Sequence, residues 1–468
     1  MSELLGELAL RVQLGSFAGP TLPPEWGTLL DEGLGGVCLF GSNLTGDLGQ
    51  AAALVAEVRA RRAAAVVATD EEGGDVTRLH VRDASPVPGP AVLGAADDLA
   101  LTAAVGRAVG LELAALGIDL DLGPVADVNS NPANPVIGTR SFGARPELVS
   151  RHVAAWVAGL QSAGVAGCVK HFPGHGDTAQ DSHLTLPVLD ADAATLRARE
   201  LVPFAAAVEA GAAAVMTSHL VVPALDATGA PATLSRPVLS VLRDELDFHG
   251  AIISDALDMA GASGECSIPE AAVAALAAGV DLLCTGPDKD AALVRDVQSA
   301  IVRAVRAERL PLSRLIDAAE RVAHLGQPPA TGSGDPAAER YVAAARAAVL
   351  WEGELPDLRG ARVITVATEA NIAVGEGRWG IDPDLVVAEG EVLPDGPLVV
   401  QVRDGHRRPG VAAMLASVRG PVVVVEWGWP GARVGWEDAP HARLCTRGNG
   451  RPSIAAVEQI LREAGWRR

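Results

Sequence analysis

Short apolar runs return along this chain at intervals that leave room for one helix between them, and that rhythm constrains the fold more than any other property of the sequence. Eight such runs occur: Leu10–Leu14, Gly36–Phe40, Ala65–Thr69, Ile118–Leu122, Val165–Lys170, Ala213–Thr217, Ala251–Ser254 and Val280–Cys284. Between them lie Ala-rich stretches with helical periodicity, among them Leu99–Leu116, Pro146–Ala163, Ala193–Ala210 and Ser267–Ala278. Short apolar runs bounded by turn residues read as buried strands. Strand–helix alternation implies a parallel sheet. Eight units within roughly 330 residues fit an α/β fold of the (β/α)8 TIM type with loop insertions. A doubly wound open sheet is the structural rival, and it explains eight units less economically.

Polar residues follow these strands with one sense. Asp70 follows the third and Asp127 trails the fourth, while Lys170 and His171 end the fifth. Ser218 and His219 follow the sixth, and Asp255 follows the seventh. In a barrel these strand ends converge on one face, where active sites form. The domain reading is therefore a catalytic barrel over 1–326, a Pro/Gly/Ser linker over 327–336 and a small α/β domain over 337–468. The small domain shows a helix Ala337–Leu350, strands near Arg362–Thr368, Leu398–Val402 and Val422–Glu426, and a closing helix Ser453–Ala464. It has neither a GxGxxG fingerprint nor a P-loop, so its expected role is structural.

The chain has 468 residues and a formal net charge of -20, which repels nucleic-acid phosphates and anionic membranes alike. Neither is an expected partner. The five cysteines, Cys38, Cys168, Cys266, Cys284 and Cys445, are scattered and make no C-x-x-C pair. That is neither a disulfide framework nor a zinc site. No signal-peptide pattern opens the chain and no uncharged apolar stretch of about 20 residues is seen, so the expected location is cytoplasmic.

The chemistry concentrates in Lys170-His171-Phe172-Pro173-Gly174-His175-Gly176-Asp177-Thr178-Ala179-Gln180-Asp181-Ser182-His183. Pro173 and two glycines exclude a long helix, so a buried strand delivers a titratable loop to one place. Asp181 and His183 are two apart, and an extended segment lets the carboxylate orient the imidazole as an acid/base dyad. The rival is metal binding by His171, His175, Asp181 and His183, although an H-x3-H pair needs a helix that Pro173 argues against. Asp255 ends a strand and can attack an electrophilic carbon, bind a metal or accept a hydroxyl; its bland reading is a helix N-cap. Asp258 reads as a capping or surface residue. Lys170 and His171 can bind hydroxyls, and a buried structural Lys would need an acid such as Asp127. Asp70 opens a Gly-rich loop, Asp70-Glu71-Glu72-Gly73-Gly74-Asp75-Val76-Thr77-Arg78, where Glu71 adds a negative charge beside Asp70. Arg140 offers planar paired donors, with a surface salt bridge as its bland reading.

These segments together resemble family 3 glycoside hydrolases, in the bacterial β-N-acetylglucosaminidase branch. The match lies in Lys170 to Thr178 with Asp181-Ser182-His183, Asp127-Val128-Asn129 with Asn134 to Gly138, Arg140-Ser141-Phe142-Gly143, and Ser254-Asp255-Ala256-Leu257, covering roughly residues 5–325. The resemblance implies a (β/α)8-type barrel and a retaining mechanism through a covalent glycosyl-enzyme. It implies Asp255 as nucleophile, His183 as acid/base and Asp181 as its partner. It places Asp70, Arg78, Arg140, Lys170 and His171 around a terminal N-acetylglucosamine. No metal or other cofactor is implied. The partner is a small carbohydrate, a peptidoglycan fragment or a chitobiose-like sugar, bound by a monomer or homodimer. A phosphorylase using the same residues and an inactive sugar-binding regulator are the alternatives.

Overall fold

A computed structural model describes residues 2–180, 186–263, 266–325, 338–368, 373–375 and 377–467. Eight parallel strands form the larger sheet: Gln13–Gly15, Gly36–Leu39, Val66–Thr69, Leu120–Asp121, Ala166–Phe172, Ala214–Thr217, Ala251–Ile253 and Leu283–Cys284. Each pairs with its sequence neighbours, and the last pairs with the first through Gln13 and Leu14. A parallel bridge between Ile253 and Leu282 closes the ring. The (β/α)8 reading therefore holds. Inside the barrel, Leu14, Cys38, Ala68, Leu120, Cys168, Met216, Ile253 and Leu282 form one buried cluster. The alternate residues Val37, Val67, Val169, Val215 and Ile252 face the surrounding helices. Strands buried on both faces are mainly apolar, and polar residues such as Thr69, Asp121 and Lys170 fall toward their C-terminal ends.

Two elements depart from expectation. Leu10 belongs to a helix, Ser2–Arg11, and the first strand begins only at Gln13. Short apolar runs carry no periodicity that separates helix from strand. The stretch Ala193–Ala210 is one helix in outline but holds a π-helical turn, Leu196–Glu200, before Leu201–Glu209. Pro203, which has no N–H to donate, lies just beyond that wide turn. Such turns re-aim side chains, and this one carries Arg199 and Glu200 toward the loop after the fifth strand. The helix Leu99–Leu116 is long and apolar enough to cross a membrane by length and composition alone. Here it packs along Pro146–Ser162 as a barrel helix.

A second sheet of six strands follows, in the order Leu350–Glu352, Ala442–Cys445, Val422–Glu426, Leu398–Val402, Arg362–Val366, Leu385–Val387. Only the first pairing is antiparallel. Period-2 alternation sends Val400 and Val424 to one face and Val399 and Val423 to the other, and each face carries its own core. Three of these strands do not stand out in the sequence. Leu350–Glu352 and Leu385–Val387 are short, partly exposed edges. Ala442–Cys445 is interrupted by Arg443, which is buried between Glu352 and Glu426. The expected linker 327–336 lies outside the described residues.

Candidate active site

The third barrel strand ends at Thr69 and passes into a small hairpin, Glu71–Gly73 with Val76–Thr77. Successive side chains of an extended segment point in opposite directions. Asp70 and Glu72 accordingly turn to one side, toward Lys170 on the fifth strand. The Lys170 ammonium lies 2.6 Å from Asp70 Oδ1 and 2.7 Å from Glu72 Oε1. Glu71 turns to the other side and accepts the backbone N–H groups of Arg78 and Leu79, which ties the hairpin together. The acid that partners Lys170 is therefore not Asp127, and the charge of Glu71 is not beside the pocket. Alternation around Asp70 decides both points.

Arg140 reaches the same cluster from a short 3-10 turn, Gly138–Arg140. Its guanidinium grips Glu72 with two bonds, Nε to Oε2 at 2.9 Å and Nη2 to Oε1 at 2.7 Å. It is only 4% exposed, so this is a buried pair and not a surface bridge. Burial alone would push the Glu72 carboxyl up, but Arg140 and Lys170 hold it far below the usual carboxylate range. Asp70 is lowered likewise, its burial outweighed by Lys170 and Arg78. Lys170 is raised against its own burial by Asp70 and Glu72. The four groups hold one another charged.

Asp127 serves a second pair of residues. Its Oδ2 lies 2.7 Å from His171 Nδ1, and its Oδ1 accepts the backbone N–H of His175 at 2.7 Å. Arg140 Nη2 stands 3.5 Å from His171 Nε2. A guanidinium only donates, so Nε2 accepts and Nδ1 keeps its proton for Asp127. Burial opposes the Asp127 charge, yet His171 holds that carboxyl below its ordinary value. The loop that carries His175 fits because Gly176 has no side chain: a Cβ there would meet Val128 O at 1.8 Å. Behind the loop, a Cβ on Gly174 (φ +125) would meet Glu200.

The seventh strand delivers Asp255, half-buried, with Oδ1 accepting from the N–H of Ala256 at 2.8 Å. His219, after the sixth strand, holds that turn through Nε2 and Ala256 O at 3.0 Å. Asp255 is not the N-cap of a helix at this point, since the next helix begins at Ala260. Asp258 is a rim residue, not a capping one, and pairs with Lys289 at 2.7 Å.

One cavity of about 310 Å³ gathers these residues. Asp70, Arg78, Arg140, Lys170, His171 and Asp255 all line it. Glu72 and His175 join them, while Phe40, Leu122, Met216 and Met259 supply an apolar wall. Ala373, in a turn between the Arg362–Val366 and Leu385–Val387 strands of the second sheet, lines it too. Arg78 donates to Ala373 O at 2.8 Å and to Val374 O at 3.3 Å while standing 3.6 Å from Asp70. Asp181 and His183 lie outside the described residues. In sequence the acidic trio Asp70-Glu71-Glu72 reads as a solvated charge run, and the spacing of two between Asp70 and Glu72 is the only sign that Glu72 shares the side of Asp70. Among the described residues no group of three or more His, Cys, Asp or Glu is placed to hold a metal ion.

Residues 23–325 match the model of the glycosyl hydrolase family 3 N-terminal domain. A β-hexosaminidase A of Pseudoalteromonas piscicida is 37% identical over 288 residues, which is 56% of this chain and 47% of that protein. The chain thus spans about half the length of that relative. A β-hexosaminidase of Chromobacterium violaceum is 41% identical over 271 residues, covering 56% of this chain and 74% of that protein. A solved family 3 β-N-acetylglucosaminidase from Paenibacillus sp. FPU-7 superposes with a TM-score of 0.86 at 28% identity. That likeness covers 98% of this chain and 97% of the Paenibacillus chain, so it runs through the second sheet as well.

Proposed function

The chain belongs to glycoside hydrolase family 3, and from that premise we propose that it is a retaining exo-β-N-acetylglucosaminidase. It releases terminal N-acetylglucosamine from peptidoglycan fragments or chito-oligosaccharides. The observation that carries the reading is Asp255 at the wall of a cavity lined by Asp70, Arg78, Arg140, Lys170 and His171. About 310 Å³ is at the small end of ligand pockets, which suits one sugar unit. Its buried charged groups present both donors and acceptors to hydroxyls, and such sites discriminate strongly against analogues that leave a partner unpaired.

In the proposed mechanism Asp255 attacks the anomeric carbon as the glycosidic bond breaks. His183, partnered by Asp181, gives a proton to the leaving oxygen. Water then attacks the glycosyl-enzyme, losing its proton to His183, and Asp255 leaves with its charge restored. Two successive inversions at the anomeric carbon, one from each face of the sugar ring, return the β-configuration. Five unpaired cysteines fit a reducing compartment, which supports a cytoplasmic location.

The test is incubation with p-nitrophenyl N-acetyl-β-glucosaminide in phosphate and in phosphate-free buffer, with the sugar product and its first anomer identified by NMR. Free β-N-acetylglucosamine at equal rates in both buffers is the expected result. A sugar 1-phosphate formed faster in phosphate would make the enzyme a phosphorylase, and no release at all would turn the reading toward a binding protein.

A further inference from the structure

Most polar atoms around the cavity already have partners. The ammonium of Lys170, the guanidinium of Arg140 and both carboxylates of Asp70 and Glu72 are tied to one another. His175 differs. It lines the cavity, it is only 2% exposed, and its Nε2 has no hydrogen-bond partner among the described residues.

The rest of the residue is held on three sides. Its N–H donates to Asp127 Oδ1 at 2.7 Å, its carbonyl accepts from Asn134 Nδ2 at 2.8 Å, and Nδ1 lies 2.7 Å from Thr178 Oγ1. The ring also meets His171 edge-on, with centroids 6.3 Å apart. The Thr178 hydroxyl can send its own hydrogen to the carbonyl of His175 at 3.0 Å. Its lone pair then receives the proton of Nδ1, and Nε2 presents a bare lone pair. Burial lowers the imidazole to about 4, with Asp127 pulling the other way, so the ring is neutral near pH 7. Asp255 is near enough to act on the ring's charge.

We propose that His175 is a further glycone-binding residue, whose Nε2 accepts a hydrogen bond from one donor of the bound N-acetylglucosaminyl unit, a ring hydroxyl or the acetamido N–H. The proposal rests on the reading of this cavity as a glycone site. An aliphatic side chain would fill the same space without leaving a buried nitrogen unpaired. A nitrogen held rigidly at the wall of a polar cavity is instead prepared for a ligand atom.

The experiment compares kcat/KM of the parent, His175→Leu and His175→Gln on p-nitrophenyl N-acetyl-β-glucosaminide and on its 3-deoxy, 4-deoxy, 6-deoxy and 2-O-acetyl analogues. We expect His175→Leu to lose about tenfold on the full sugar. One analogue should suffer that loss already in the parent and lose nothing further in the variant. His175→Gln, which keeps a polar atom near the Nε2 position, should recover part of the activity on the full sugar. An equal loss on every analogue, or no loss on any, overturns the proposal. If the Leu variant does not fold, the Gln variant decides: its selectivity must change for one analogue only, and unchanged selectivity overturns the proposal. Failure of the parent to turn over the full sugar would overturn the functional reading and this inference together. Parent turnover without a coupled analogue overturns this inference alone.

Discussion

His171 Nδ1 and Asp127 Oδ2 are 2.7 Å apart although 44 residues separate them, and the contact selects which ring nitrogen carries the proton. With Nδ1–H committed to Asp127, Nε2 is left to face Arg140 and the cavity. Fixing a tautomer through a buried carboxylate is a positioning device. Asp127→Asn presents an amide where three N–H groups, the His171 ring and the backbones of His171 and His175, meet an anion, so kcat/KM should fall roughly 100-fold. Thermal unfolding separates this from collapse, since the variant should remain folded at the assay temperature.

Asp255→Asn keeps the shape of the side chain but not its nucleophilicity. Turnover should drop by roughly a thousandfold or more, with the circular dichroism spectrum unchanged. Activity within tenfold of the parent would remove Asp255 from the mechanism.

Glu72 is 1% exposed and holds both Arg140 and Lys170. Glu72→Gln leaves two buried cations short of one countercharge, and stability should fall by about 3–5 kcal/mol. Urea unfolding at pH 7 measures it. A change below about 1 kcal/mol would mean that Asp70 alone satisfies the two cations.

Burial pushes the Glu200 carboxyl up to about 7, with Arg199 pulling the other way, from an ordinary 4.5. Between those values the folded chain keeps a proton that the unfolded chain releases. Stability from this group is therefore complete below about 4.5 and is lost as pH rises through about 7. The stability difference between Glu200→Gln and the parent should move in the variant's favour by about 3 kcal/mol from pH 5 to pH 8. A difference that does not vary with pH would show that Glu200 titrates alike in both states.

Arg78 uses a planar fork to reach two carbonyls and a carboxylate. Lysine supplies one point charge in its place. Arg78→Lys should raise KM about tenfold with kcat little altered, as expected when binding common to ground and transition states is lost.

Much of this was legible in the chain. The barrel could be counted because most of its strands are buried on both faces and so show as short, mainly apolar runs. Asp70, Lys170, His171 and Asp255 could be chosen because strand ends and a long motif mark them, Arg140 for its planar donors and Arg78 through the family resemblance alone, and one cavity contains all six. Apart from Glu72, what stayed hidden were relations between residues. Nothing in the spacing tells that Lys170 would meet acids 98 and 100 positions earlier in preference to Asp127. The inward turn of Glu72 and outward turn of Glu71 depend on a two-strand hairpin too short to announce itself. Arg443 concealed a strand because a buried cation interrupts the very pattern by which strands are found.

The bond from Arg78 to Ala373 joins a barrel loop to a turn that connects strands of the second sheet, at the wall of the cavity. A truncation ending near residue 325 would keep every barrel side chain named above, yet it would open one wall of the cavity to water and leave Arg78 without its two carbonyl acceptors. The barrel and the turn that carries Ala373 thus share one ligand-sized enclosure, and a change in how they lie against each other would register as a change in ligand affinity. Their interface is a place where a mutation far from Asp255 can act on the cavity without touching what binds there.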